Sequence, residues 1–145
     1  MQQRPILLIE DSPEDVEALQ RAFRRLNFTR PVQHCATAQR AWDYLRGEEV
    51  AASARVRPCL ILLDLNLPGE DGRFFLQRLK SSQDFRELPV VILSTSTNPL
   101  DVDFCYQHGA SAYQVKLMDV EEQTRNIRAM LDYWFGAVVL PDGGR

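Results

Sequence analysis

Four apolar runs in this chain end in side chains able to do chemistry. "ILLIED" ends on the adjacent carboxylates Glu10 and Asp11, "LILLD" on Asp64, "VVILS" on Ser94 and "AYQVK" on Lys116. From Leu60 to Leu65 the only polar side chain is that of Asp64. A carboxylate there is costly to bury unless something compensates it. Three such anions in one pocket repel one another unless a cation lies between them. Oxygen donors without His or Cys select a hard cation, most simply Mg²⁺. The candidate ligands are Glu10, Asp11, Asp64 and the backbone carbonyl at Asn66, with waters completing an octahedron. A cation, a carboxylate nucleophile, a hydroxyl and an ammonium together suit phosphoryl transfer to Asp64, giving an aspartyl phosphate. Lys116 and the cation would neutralise the transferring oxygens, and Ser94 Oγ would hydrogen-bond one of them. No residue here offers a strong general base for water.

These side chains converge only if the intervening segments fold suitably. The spacing predicts strands over 4–10, 31–35, 59–64, 88–94 and 111–116, alternating with helices. Ser12 caps the first helix, with Pro13 at its first position and Glu14 and Asp15 in its first turn. Val16, Leu19, Phe23 and Leu26 share one face of it. Thr37 caps a helix to about Arg46, whose expected buried side is Ala38, Ala41, Tyr44 and Leu45. Residues 47–58 read as a linker or helix extension. The third helix runs from Arg73 to Ser81. Asn98 caps a fourth that starts at Pro99 and ends at Gly109, and the last runs from Asp119 to about Phe135. Five β units alternating with five α units imply an α/β, doubly wound (βα)₅ parallel sheet of flavodoxin-like strand order 2-1-3-4-5. Sites in such sheets form at the carboxyl ends of the strands, where the acids, the hydroxyl and the lysine fall.

Composition limits the function classes. The chain has 145 residues, enough for about one domain, with 45% hydrophobic and 26% charged residues and a net charge of −3. That balance gives no general electrostatic case for nucleic-acid binding. No apolar run approaches the roughly 20 residues of a membrane span. The apolar stretch near the N-terminus is too short for a signal peptide. The expected location is the cytoplasm. Cys35, Cys59 and Cys105 read as buried free thiols. His34 and His108 have no metal-ligand spacing.

The motifs "LLIEDS", "LILLDLNLPGEDG", "VVILSTS" and "GASAYQVK" resemble the receiver domains of two-component response regulators, from Pro5 to about Leu131. The resemblance implies Glu10 and Asp11 as the acid pair, Asp64 as phosphoacceptor, Asn66 as the metal-carbonyl residue, Ser94 as switch hydroxyl, Tyr113 as switch aromatic and Lys116 as the family lysine. It implies phosphorylation by a sensor histidine kinase, Ser94 drawn inward, Tyr113 following, and a changed surface at the fourth helix, fifth strand and fifth helix. The family usually has Pro after the lysine; here Leu117 stands there.

The C-terminal part carries a finer resemblance. Ile127, Met130, Leu131 and Trp134 share a helical face. Tyr133, Trp134 and Phe135 are consecutive and point about 100° apart, so at least one faces outward. An apolar "AVVLP" follows. This pattern, with "LLDLNLPGEDGR" and the missing Pro, resembles the stand-alone response regulators of bacterial phytochrome histidine kinases. It implies residues 1–135 as receiver domain, 136–145 as an interface tail, no output domain, and a homodimer through the last helix and Tyr133, Trp134, Phe135, Val138, Val139 and Leu140. A bacteriophytochrome is the implied kinase.

Rival readings fit less well. A flavodoxin-type FMN binder needs a phosphate-cradling loop after the first strand, where "EDSPED" would repel phosphate. A phosphohydrolase of the haloacid-dehalogenase kind places a general-acid Asp two residues after its nucleophile, where Asn66 stands. A degenerate receiver acting as a phosphorylation-independent binding module is the remaining alternative.

Overall fold

The computed structural model describes residues 3–47 and 56–141. Strands β1 (Ile6–Ile9), β2 (Val32–Cys35), β3 (Leu60–Leu63), β4 (Val90–Ser94) and β5 (Ala112–Val115) alternate with helices α1 (Pro13–Arg25), α2 (Ala38–Arg46), α3 (Gly72–Ser81), α4 (Pro99–Gln107) and α5 (Val120–Asp132). All neighbouring strands are parallel, in the order β2-β1-β3-β4-β5. The expected doubly wound sheet is what forms.

The local signals act where the sequence puts them. Ser12, Thr37, Asp71, Asn98 and Asp119 each accept a backbone N–H in the first turn of the helix they precede. The central strands β1, β3 and β4 are buried along their whole length, as strands covered on both faces must be. Helices α2, α3 and α4 cover one face, with Trp42, Phe75 and Leu79 at its centre. Helices α1 and α5 cover the other through Val16, Phe23, Ile127 and Met130. Helix α4 buries only Cys105, so it is the least anchored helix of the layer.

Two expectations need correction. Trp42, not Tyr44, is the buried aromatic of α2, because Phe75 and Phe85 close around its ring at centroid distances of 5.0 and 6.3 Å. Helix α2 ends at Arg46, where the spacing predicts, since Gly47 turns left-handed with φ +75°. The rest of the expected linker, 48–55, lies outside the described residues. The last helix does not run to Phe135 as an α-helix. It passes into a π-helical turn, Tyr133–Ala137, closed by Val138 N–H donating to the Tyr133 carbonyl.

That turn divides the aromatic triplet. Tyr133 is exposed, while Trp134, Phe135 and Leu140 pack back against the α1/α5 core. Phe135 meets Phe28 at 5.3 Å and lies under the Arg30 guanidinium. Arg4 Nη1 donates to the Pro141 carbonyl at 2.8 Å and Arg4 Nη2 to that of Pro58 at 2.6 Å, tying the tail to the start of β3. Val138 is half-buried and Val139 fully exposed.

Candidate functional site

The sheet register decides which side chains meet. Ile9 pairs with Leu63, Leu63 with Ile92, and Ser94 with Val115. The residues after these pairs emerge together at one sheet edge. Carboxylate oxygens of Glu10, Asp11 and Asp64 all lie within 4.8 Å of one another. Glu10 and Asp64 are buried and Asp11 is exposed, so the cluster opens to solvent on one side. His34 Nε2, on the edge strand β2, sits 2.7 Å from the Glu10 carbonyl and fixes that backbone.

Asp64 is placed by β3 and by the turn after it. Gly69 takes φ +72°, and α3 then begins hard against the acidic strand end. Gly72 N–H donates to the Leu65 carbonyl at 2.9 Å. A Cβ on Gly72 would collide with the Asp64 carbonyl oxygen and lie 2.7 Å from Leu65 Cα, so only glycine fits. Burial pushes the Asp64 carboxyl up to about 6, against the pull of the Lys116 ammonium and helped by neighbouring Glu10. The Asn66 backbone N–H hydrogen-bonds the carboxylate and opposes that rise. The Asn66 side chain itself is exposed.

Lys116 enters from β5. Its Nζ donates to Glu10 Oε1 at 2.5 Å and to Asp15 Oδ2 at 2.8 Å, and lies 3.7 Å from Asp64 Oδ1. Burial works to lower its pKa, but the hydrogen bonds to Asp15 and Glu10 and the charge of Asp64 win and raise it. The ammonium is therefore locked in its charged form. Asp15 was legible as a first-turn acid of α1 but not as a partner of Lys116. Leu117, where Pro is usual, uses its N–H: it donates to Gln123 Oε1 on α5 at 2.8 Å.

Ser94 is fully buried, and its Oγ accepts the Ser96 N–H at 3.1 Å. Tyr113 is half-buried, and its hydroxyl donates to the Ser96 carbonyl at 2.9 Å. Ser96 Oγ donates in turn to Asp101 Oδ2 at 2.6 Å, and Asp101 holds Arg73 of α3 at 2.7 Å. Ser96, Asp101 and Arg73 escaped the sequence reading because their contacts join three separate segments. The structure thus gathers Glu10, Asp11, Asp64 and Lys116 at one point and places Ser94 and Tyr113 on the neighbouring strands. The C-terminal aromatics belong to a different region, beside Phe28 and Arg30.

The donor set fits a hard divalent cation: three carboxylates converge, and burial holds Asp64 above the usual carboxylate range while the Lys116 ammonium is shared among Glu10, Asp15 and Asp64. Among the described residues no helix is long and apolar enough to cross a membrane.

The family model of the response regulator receiver domain matches residues 6–128. The chain is 37% identical over 131 residues to the "Probable methanogenesis regulatory protein FilR2" of Methanothrix harundinacea, covering 90% of this chain and 83% of that protein. It is 32% identical over 136 residues to the response regulator Rcp1 of Synechocystis sp., covering 94% and 92%. The Mn²⁺-bound structure of Rcp1 matches with a TM-score of 0.84 at 31% identity, covering 95% of this chain and 99% of that one. The phosphorylated cyanobacterial phytochrome response regulator RcpA matches with a TM-score of 0.86 at 31% identity, covering 97% and 99%.

Proposed function

The chain belongs to the response regulator receiver family, and we propose that it accepts a phosphoryl group on Asp64 from a sensor histidine kinase of the bacteriophytochrome kind. The observation that carries this reading is the buried Asp64 carboxylate set between Lys116 and the Glu10–Asp11 pair. An Asp64 oxygen attacks the phosphorus of the kinase's phosphohistidine. The P–N bond breaks and its electron pair stays on the imidazole. Lys116 supplies a positive charge to the phosphoryl oxygens, and Ser94 supplies a hydroxyl. Glu10, Asp11, Asp64 and the Asn66 carbonyl would hold Mg²⁺, which when bound neutralises charge on the transferring group. With Asn66 in place of a second acid, nothing activates water strongly, so the aspartyl phosphate persists as a signal.

The output follows from the β4–α4 loop. Phosphorylation draws Ser94 Oγ towards the phosphoryl group and away from the Ser96 N–H. Ser96 carries the Tyr113 hydroxyl bond, so Tyr113 moves with it. Helix α4, which buries only Cys105, is the element most easily displaced. The α4–β5–α5 face therefore changes. Exposed Tyr133 and Val139 beside α5 support a homodimer through α5 and the C-terminal extension. The protein works in the cytoplasm, without direct nucleic-acid contact. Rcp1 and RcpA, both response regulators and the latter of a phytochrome, support the choice of kinase.

The test is phosphotransfer from a purified bacteriophytochrome kinase carrying labelled phosphohistidine. Label should move to the native chain within minutes and not to Asp64→Asn. Transfer from an unrelated sensor kinase at an equal or higher rate would contradict the phytochrome assignment. Failure to accept from any kinase would favour the phosphorylation-independent binding module.

A further inference from the structure

We propose that Asp15 is a positioning residue for Lys116: its carboxylate holds the ammonium back from Asp64 until a phosphoryl group arrives, and so limits how fast Asp64 accepts one. This rests on Asp64 being the acceptor. The first turn of α1 shows why Asp15 is available. Its segment Ser12-Pro13-Glu14-Asp15 has the spacing of a capping box, in which the fourth residue's carboxylate normally accepts the N–H of the first. Here only half of the box forms. Asp15 N–H donates to Ser12 Oγ at 3.3 Å, but Ser12 N–H donates to Glu10 Oε2 at 3.2 Å. Glu10 has taken the acceptor role. The Asp15 carboxylate is free to turn inward and bond Lys116 at 2.8 Å.

Lys116 has three N–H donors. Glu10 and Asp15 take two, and Asp64 at 3.7 Å lies beyond hydrogen-bond reach. The backbone beneath the lysine is fixed. Lys116 N–H donates to the Ser94 carbonyl at 2.8 Å, and Leu117 N–H donates to Gln123 on α5. A proline at 117 could not make that second bond. The ammonium therefore moves only by side-chain rotation between partners. Of its two hydrogen-bond partners, Glu10 is 5% exposed and engaged at both oxygens, whereas Asp15 is 45% exposed and its carboxylate can be hydrated. The Asp15 bond is the one released when a phosphoryl oxygen recruits the ammonium. No bond in Asp15 is made or broken, and no proton moves to it.

The experiment measures the initial rate of phosphorylation by a small acyl phosphate at saturating Mg²⁺ in the full chain. Asp15→Asn should react roughly fivefold faster, the scale of a partly exposed ion pair. Asp15→Glu, which keeps the charge, should fall back towards the native rate. In a Lys116→Gln background, Asp15→Asn should change the rate by less than about twofold. An unchanged or slower Asp15→Asn rate would overturn the proposal, as would an equal acceleration without Lys116. The Lys116 ammonium ¹⁵N resonance is followed separately, with no phosphoryl donor present. It should shift in Asp15→Asn, and an unmoved resonance also overturns the proposal. If the native chain takes no phosphoryl group, the acceptor reading fails, and this resonance alone decides whether Asp15 holds Lys116.

Discussion

The Tyr113 hydroxyl donates to the carbonyl of Ser96 at 2.9 Å, and the N–H of that same Ser96 donates to Ser94 Oγ at 3.1 Å. One residue thus joins the buried hydroxyl to the aromatic on β5. Tyr113→Phe should keep the ring packing and lose that bond, costing about 1 kcal/mol or less. Amide exchange at Ser96 should quicken while β1 amides stay unchanged. Equal protection at Ser96 in both proteins would mean the hydroxyl does not hold the loop.

Asp101 ties the same loop to α3. Its hydrogen bond from Ser96 and its Arg73 partner hold its carboxyl below the usual range. A carboxyl lowered by folding contributes stability at neutral pH and loses it as pH falls through its folded value. Asp101→Asn should lower the urea midpoint at pH 7 by an amount worth below about 1 kcal/mol, the pair being partly exposed. The gap should start to close only below the ordinary carboxylate value of 3.8. A gap independent of pH would contradict this assignment.

Asp64 has the opposite sign. Its carboxyl is raised to about 6 from 3.8, so without a divalent cation the native state loses stability as pH rises through that window. At pH 7 Asp64→Asn should stabilise the cation-free chain by on the order of 1–2 kcal/mol, and the gain should vanish near pH 4. Mg²⁺ should then raise the urea midpoint of the native chain and not that of the variant. Destabilisation by Asp64→Asn at pH 7 would refute this account of the site's electrostatics.

Gly72 sits where α3 meets the Asp64–Leu65 backbone, with no room for a Cβ. Gly72→Ala must shift either the helix or the acceptor strand end, at a cost of about 1–3 kcal/mol. The urea midpoint should fall, and phosphoryl acceptance should fall with it. Gly69→Ala meets no atom within 4 Å and is strained only by its φ of +72°, so it serves as the comparison.

What was legible in the sequence was local or periodic. Ser12, Thr37 and Asn98 announce helix starts because a cap and its N–H lie within three residues. Glu10, Asp11, Asp64, Ser94 and Lys116 could be brought together because strand ends share one edge of a parallel sheet. Contacts set by distant segments were not legible. Trp42 is buried by Phe75 and Phe85, which are far along the chain, while Tyr44 packs only partly buried against the same core. The spacing of Tyr133, Trp134 and Phe135 required an outward ring, but Phe28 and Arg30 decide that Phe135 turns in. Asp15 reaches Lys116 across 101 positions, and no local spacing announces that contact.

The most direct test of the central claim is intact mass after incubation with Mg²⁺ and a small acyl-phosphate donor. The native chain should gain one phosphoryl group, and neither Asp64→Asn nor the native chain without a divalent cation should gain any. Modification of Asp64→Asn to the same extent, or none of the native chain with Mg²⁺ present, would contradict Asp64 as the acceptor.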